Sequence, residues 1–192
     1  REAVETMTEL IEYYKGIFTI LSSCASRQLE EVTFRRTVIP VQELLDTAGK
    51  YFKKSMKNRS ERIELEIEPM EAKVIGDVNQ LRFLLENLID EALTVREDGV
   101  IRLQARQDNE YIRFLFTDTR REKSVEELNQ LFYPNLARMT SGEKGELRGT
   151  EYLVCKQIIR DHDEFAGRRG CRINAEPAEG GGFTVYFTIP RR

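Results

Sequence analysis

The sequence predicts an α+β fold: a two-layer sandwich in which a mixed, mostly antiparallel sheet carries helices on one face, preceded by an N-terminal bundle-type helix. Three observations lead to this prediction. Segments with alternating polarity, typical of half-buried strands, recur from about residue 62 to the C-terminus. Amphipathic helical segments lie between them. Residues 2–31 contain no such alternation and repeat apolar side chains at helical spacing.

Composition favours a folded soluble protein and argues against a nucleic-acid-binding or membrane-spanning one. The chain has 192 residues, 40% hydrophobic and 33% charged, which is typical of a folded soluble protein with one large domain or one domain plus an appended element. A net charge of -3 gives no reason to expect a nucleic-acid partner. No apolar run approaches the roughly 20 residues that span a bilayer, so we expect no membrane contact by this chain. The 3 cysteines lack CxxC spacing, which favours a reducing, cytoplasmic location over a disulfide framework or a zinc site.

The first predicted helix covers Glu2 to about Glu31. Its apolar stripe is wide enough to pack against more than one other helix, as in a bundle. Two interpretations remain open: a dimerisation helix, or a helix docked on its own domain. Because the chain starts at Arg1 inside this helix, we expect it to be part of a longer protein. The stripe consists of Met7, Leu10, Ile11, Tyr14, Ile17, Phe18, Leu21, Cys24 and Ala25.

Alternating and helical patterns then follow each other along the chain. We predict strands at Glu31–Arg36, Arg62–Glu68 and Ala72–Ile75, and a helix whose first turn contains Pro40. The next helix runs from Asp77, which is placed to cap it, to about Val95. Further on, the predicted elements are a hairpin of Val100–Arg106 and Tyr111–Thr117, a short helical piece at Val125–Phe132, a helix at Tyr152–Asp161, and strands at Cys171–Ala175 and Phe183–Ile189 joined by a Gly180–Gly182 turn.

Several strings at these positions match one family. Asp77 to Ala92 (DVNQLRFLLENLIDEA) looks like a helix box that usually ends NLLxNA, and Phe114 to Thr119 looks like the strand leading into a DxGxG box. Leu131 to Pro134 and Val154 to His162 match further strings of the same family. The chain therefore resembles the ATP-binding (GHKL) domain of sensor histidine kinases. On this basis residues 1–31 are an incomplete dimerisation domain, and residues 32–192 are a histidine-kinase-like ATPase domain with a lid at about 119–148.

The resemblance implies a nucleotide site. Asn87 and Glu91 would hold Mg²⁺ on the first helix box, and Asp118, followed by Thr119, would accept the adenine amino hydrogen. Gly149 and Thr150 fall in the second glycine box, whose backbone N–H groups would bind phosphates. ATP and Mg²⁺ are therefore the cofactors that the resemblance implies.

Charged residues occupy several positions that contact the nucleotide or Mg²⁺ in the family. Glu91 stands where the family has Asn, Arg120 and Glu122 stand where it has glycine, and Glu151 puts an anion in the place of a phosphate. The single histidine, His162, does not match the phosphoacceptor, so we assign no catalytic residue. A cationic rim on the lid is a further interpretation, with a solvated surface as the plainer one; it would consist of Arg120, Arg121, Lys123, Lys144 and Arg148.

These observations lead to three functional hypotheses. The first is an ATP-binding module of a two-component sensor protein with impaired nucleotide binding, a pseudokinase. The second is an active histidine kinase with a divergent lid. The third is a non-enzymatic scaffold whose pocket is filled by Arg120 or Tyr152. The resemblance also implies a homodimer through the first helix, a response regulator as a possible partner, and attachment to a larger membrane sensor.

Overall fold

The computed structural model describes residues 3–8, 10–11, 14, 34–134, 140–141 and 147–192. The chain divides into two compact units. The first unit comprises residues 1–33 and 133–150, and the main unit comprises residues 34–132 and 151–192. The elements in chain order are β1 (Thr37–Pro40), α1 (Val41–Ser55), β2 (Ile63–Ile67), β3 (Lys73–Gly76), α2 (Val78–Ala92), β4 (Gly99–Asp108), β5 (Tyr111–Asp118), α3 (Val125–Asn129), β6 (Thr140–Ser141), β7 (Leu147–Arg148), α4 (Glu151–Phe165), β8 (Ile173–Pro177) and β9 (Phe183–Pro190).

In the first unit, residues 3–8, 10–11 and 14 are helical, and β6 pairs with β7 in antiparallel fashion. Val4, Met7, Leu10 and Ile11 are between 48% and 69% exposed, so part of the predicted apolar stripe faces outward. The remaining stripe positions that we predicted, Ile17 to Ala25, lie outside the described residues.

The main unit is built on a five-stranded sheet of order β2-β4-β5-β9-β8. β2 pairs with β4 in parallel, and the other three pairings are antiparallel. A separate two-stranded sheet joins β1 to β3. The predicted mixed, mostly antiparallel sheet is confirmed. The predicted β4–β5 hairpin is also present, with Asp118 at the end of β5.

Helices α1, α2 and α4 cover one face of this sheet. Helix α2 buries Leu81, Leu84, Leu85 and Leu88, whose spacing of three and four residues puts them on one side of the helix. Each such side chain contributes about 1.5–3 kcal/mol when it leaves water. Sheet residues oppose them, and the rings of Phe114 and Phe187 stack with centroids 4.9 Å apart.

The N-terminus of α2 is capped as predicted. Asp77 Oδ1 accepts hydrogen bonds from the backbone N–H groups of Asn79 and Gln80 at 3.0 and 3.1 Å. Its other oxygen accepts from Arg35 N at 2.9 Å. The cap therefore joins the chain before β1 to the start of the helix that carries Asn87 and Glu91.

Three element predictions need correction. Phe34–Arg36 of the predicted strand Glu31–Arg36 is not a strand, and β1 begins at Thr37 because its antiparallel partner is β3, with Thr37 opposite Gly76. Pro40 is the last residue of β1, with an extended ψ of 128°, and it precedes the helix. Helix α3 ends at Asn129, where we predicted helix up to Phe132. Across the described ranges, no helix is both long and apolar enough to cross a membrane.

Candidate nucleotide site

Three elements of the main unit bring the candidate site residues together. Glu91 lies in the last turn of α2, Asp118 ends β5, and Tyr152 is in the first turn of α4. Arg120 and Arg121 follow β5 directly and reach back to this point. The site is therefore an assembly of two carboxylates, two guanidinium groups and a phenol.

The Arg120 side chain donates hydrogen bonds to both carboxylate oxygens of Asp118. Its Nε donates to Asp118 Oδ1 at 2.9 Å, and its Nη2 donates to Oδ2 at 3.0 Å. The side chains of both residues are 1% exposed. The Arg120 backbone N–H also donates to Oδ1, at 3.0 Å. This is a bidentate pair removed from water, which is the strongest hydrogen-bonding geometry available to a carboxylate.

The rest of the Arg120 guanidinium binds backbone carbonyls of the last residue of α2 and of the loop that follows it. Nη2 donates to Ala92 O at 2.6 Å, and Nη1 donates to Val95 O at 3.3 Å and Glu97 O at 3.1 Å. A guanidinium has five N–H donors, and all five are used here. Since the last carbonyls of a helix lack partners within the helix, Arg120 also serves as the C-terminal cap of α2.

Arg121 joins the two carboxylates. Its Nε donates to Asp118 Oδ2 at 3.1 Å, and its two terminal nitrogens donate to Glu91 at 3.3 and 2.7 Å. The Tyr152 hydroxyl donates to Glu91 Oε2 at 2.6 Å. Burial, which by itself would lower the pKa of Arg121, is outweighed by Glu91, so this pKa is raised. Burial and then the charge of Glu91 hold the pKa of Tyr152 well above its ordinary value of 10.0.

Two glycines shape the space around these side chains. A β-carbon at Gly99 would lie 2.6 Å from Arg120 Cγ, and φ at Gly99 is +145°. A β-carbon at Gly182 would lie 2.1 Å from the Asp118 carbonyl oxygen. The Gly182 N–H donates to Glu122 Oε1 at 3.3 Å. Both side chains that replace the expected glycines, Arg120 and Glu122, are thus used in internal contacts.

Sequence comparison identifies the family. Residues 76–192 match the model of the histidine kinase-, DNA gyrase B- and HSP90-like ATPases. The chain belongs to this ATPase family. The predicted resemblance is confirmed, and the chain is a histidine-kinase-like ATPase module. No curated protein matches it in sequence.

Solved structures share the fold at low identity. The catalytic domain of the histidine kinase ThkA in a nucleotide-free form is 21% identical, with a TM-score of 0.63, over 82% of this chain and 96% of that domain. The mycobacterial sensor histidine kinase MprB is 20% identical, with a TM-score of 0.62, over 82% of this chain and 99% of that one. ThkA in complex with the response regulator TrrA is 19% identical, with a TM-score of 0.63, over 98% of this chain and 52% of that one.

The structure brings Glu91 and Asp118 together through Arg121, and it gives Asn87 and Thr119 structural contacts. The Asn87 side chain donates to Phe83 O at 2.7 Å, one turn back in the same helix. Thr119 Oγ1 donates to Val100 O at 2.7 Å and closes the end of the β4–β5 pair. Gly149 and Thr150 belong to the first unit, and φ at Gly149 is +86°.

Neither interpretation of the cationic run, a ligand-binding rim or a solvated surface, holds for Arg120 and Arg121. Arg120 is buried and the side chain of Arg121 is only 16% exposed, because Asp118 and Glu91 supply buried anionic partners. Lys144 lies outside the described residues, and the side chain of Arg148 is not described. No group of three or more His, Cys, Asp or Glu suited to a metal ion occurs among the described residues.

Sequence reasoning missed the bridging role of Arg121 and the steric role of Gly99. Arg121 gave no signal beyond the charge of its neighbours. Gly99 did give one, since a glycine at the start of a predicted strand marks a close approach of another group. Arg120 and Tyr152, which we named as candidates to fill the pocket, both have buried side chains.

His162 is buried and contacts Asp77, the residue that caps α2. Its Nε2 accepts from the Asp77 N–H at 3.1 Å, and its Nδ1 is 2.8 Å from Ile158 O. Because Nε2 is an acceptor, the ring is neutral with its proton on Nδ1. Burial lowers the pKa of His162 from its ordinary value of 6.5.

Proposed function

We propose that this chain is a histidine-kinase-like module of a two-component sensor protein that does not use MgATP and acts through protein contacts. The supporting observation is that Asp118, the carboxylate that the family resemblance assigns to adenine, is already saturated. Both of its oxygens accept hydrogen bonds from Arg120, and Oδ2 also accepts from Arg121. Adenine could enter only if the Arg120 side chain left, which would remove two hydrogen bonds from a buried carboxylate and one or more donors from each of three carbonyls.

The residues at the predicted Mg²⁺ position do not suit the ion. Glu91 accepts from Arg121 through both of its oxygens, and Oε2 also accepts from Tyr152. A divalent cation there would have to displace or face the Arg121 guanidinium, which carries the same sign of charge. The predicted ligand Asn87 has its amide nitrogen bonded to its own helix. These contacts favour a site without metal.

The first unit supports a role in assembly. Its exposed apolar residues Val4, Met7, Leu10 and Ile11 follow helical spacing of three and four residues. An outward-facing stripe of this kind is stable when another helix covers it. We therefore propose a homodimer through this helix. A response regulator is the proposed partner by analogy with ThkA, which binds one in its complex. A cytoplasmic location, as part of a larger sensor, belongs to the same proposal.

Isothermal titration of the chain with MgATP tests the proposal. We expect any dissociation constant of the parent chain to be weaker than about 100 μM. The matched variant is Arg120→Gly, which restores the glycine of the family and frees Asp118. Its fold is checked by circular dichroism, and we expect it to bind nucleotide more tightly than the parent chain if Arg120 is what fills the site.

A dissociation constant of about 100 μM or tighter for the parent chain would overturn the proposal. Adenosine serves as the control ligand, because it reports on the Asp118 position without any contribution from Mg²⁺ or phosphates. If adenosine binds the parent chain while ATP does not, the base site is open and our reading of Arg120 is wrong.

A further inference from the structure

A cluster of cationic side chains lies at the end of the main unit where β9 leaves the sheet. The Arg192 N–H donates to Lys73 O at 3.0 Å, and the Arg191 N–H donates to Glu110 O at 2.8 Å. Glu110 is in the turn between β4 and β5. The C-terminal strand therefore brings two arginines next to the start of β3 and next to this turn.

The loop after α4 adds to the same region. Arg168 forms an ion pair with Glu110, and a β-carbon placed on Gly167 would lie 2.7 Å from the guanidinium carbon of Arg36. Arg169 pairs with Asp163 at 3.1 Å. We call this surface the basic edge, and it consists of Arg36, Lys73, Arg168, Arg169, Arg191 and Arg192.

Hydrogen bonds fix the loop that carries part of the basic edge. Asp163 Oδ1 accepts from the N–H groups of Gly170 and Cys171 at 2.6 and 3.0 Å. The Tyr111 hydroxyl donates to the Arg169 carbonyl oxygen. The side chains of Arg168 and Arg169 nevertheless remain 44% and 77% exposed. The backbone is thus held in place while the cationic groups face solvent, which reduces the entropy lost on binding.

The charge of this edge opposes that of the rest of the chain. Within the described residues, the carboxylates in ion pairs with these six cations are Glu110 and Asp163. Six cations and two carboxylates give +4, so with a total of -3 the remaining residues carry -7. A long polyanion would extend beyond the basic edge and be repelled by the negatively charged remainder of the protein. A short anionic segment could contact the basic edge alone.

We propose that the basic edge binds an acidic polypeptide segment of a partner protein. Five of the six cations are arginines, and a guanidinium pairs with a carboxylate through two parallel hydrogen bonds. An apolar contact is also present, because Phe165 is 51% exposed and packs against Phe34, two residues before Arg36. The segment that fits is therefore rich in Asp and Glu and carries an apolar side chain.

Fluorescence anisotropy with a labelled peptide of alternating Glu and Leu tests this surface. The test variant is Lys73→Glu/Arg192→Glu, since both residues are exposed and their mutual backbone hydrogen bond does not need the side chains. The matched control is Lys50→Glu/Lys53→Glu on the exposed side of α1, which changes the net charge equally. We expect affinity to fall at least about tenfold in the test variant, within about twofold of the parent in the control, and to weaken with added salt.

Three results would overturn the proposal: no binding of the peptide by the parent chain, equal loss in both variants, or tighter binding of a single-stranded oligonucleotide or of vesicles containing phosphatidylglycerol. The last outcome would assign the edge to nucleic acid or to a membrane surface. Circular dichroism of both variants excludes misfolding as the cause of a loss. None of these measurements depends on whether the chain binds nucleotide, so they are independent of the proposed function.

Discussion

Replacing Arg120 by Ala tests the central structural argument. Arg120 and Asp118 form an ion pair of 2.9 Å in which both side chains are 1% exposed. Removing one partner of a buried pair costs about 3–5 kcal/mol, because the remaining charge stays buried with too few hydrogen bonds. Here Asp118 retains the Arg121 side chain and the backbone N–H of residue 120, and the carbonyls of Ala92, Val95 and Glu97 each lose the donor that Arg120 supplied. We therefore expect a loss within this range.

The chain contains a matched control for this substitution. Arg102 forms an ion pair with Glu66 at 2.8 Å, but the two side chains are 46% and 54% exposed. Exposed pairs contribute about 0–1 kcal/mol, so Arg102→Ala should leave the free energy of unfolding almost unchanged. Urea denaturation followed by far-ultraviolet circular dichroism measures both. Equal losses for the two variants, or a loss below about 1 kcal/mol for Arg120→Ala, would refute the argument that Arg120 fills and stabilises the site.

Two milder variants keep the test informative if Arg120→Ala does not fold. Arg120→Lys retains a charge but has three donors instead of five, so it should still be less stable than the parent. The double variant Arg120→Met/Asp118→Leu removes both charges. It should be more stable than Arg120→Met alone, since no buried carboxylate is left without a partner. A double variant less stable than the single one would contradict this reasoning.

Three further predictions concern other parts of the main unit. Gly99→Ala should cost about 1–3 kcal/mol more than Gly180→Ala, because both glycines have positive φ but only the first would clash, with Arg120 Cγ at 2.6 Å; urea melts compare them. The pKa of His162 is lowered from 6.5 by burial, so below about pH 6.5 the unfolded chain takes up a proton that the folded chain does not, and stability falls as the pH drops. Urea melts at about pH 7.5 and 5.5 should show this fall in the parent and not in His162→Gln, and parallel pH curves would contradict it. Burial raises the pKa of the Cys155 thiol, so iodoacetamide should alkylate it only after denaturation, as mapped by mass spectrometry; labelling at the same rate in the folded chain would contradict this.

Periodicity was sufficient to predict the fold because the main unit buries its side chains in regular patterns. Leu81, Leu84 and Leu88 repeat at helical spacing and are at most 1% exposed. The strand before α1 was misplaced because its position is decided by a distant partner. Thr37 lies opposite Gly76, and nothing local distinguishes Thr37–Pro40 from the residues before it. Pairing between strands far apart in sequence is the part of a fold that local patterns describe least.

The sequence was sufficient to name the main residues of the candidate site, but not to predict which contacts they make. The family resemblance assigns Asp118 and Glu91 to the site, and these residues lie at the ends of a predicted strand and a predicted helix. The burial of Arg120 does not, because a run of charged residues after a strand is usually solvated. Its burial depends on three carbonyls at the end of α2 and in the following loop, 23 to 28 residues earlier in the chain, which accept its terminal N–H groups. Only the folded arrangement brings these acceptors next to Asp118.

Arg120 makes stability and nucleotide binding compete for the same carboxylate. If displacing its side chain costs about 3–5 kcal/mol, the state that can accept adenine is populated less than about one part in a hundred. Every 1.4 kcal/mol weakens the apparent dissociation constant tenfold, so an intrinsic value of about 1 μM would appear as roughly 0.2–5 mM. A glycine at this position would have no such effect, because it supplies no donors to Asp118. The substitution therefore stabilises the empty fold and, by the same contacts, opposes the ligand.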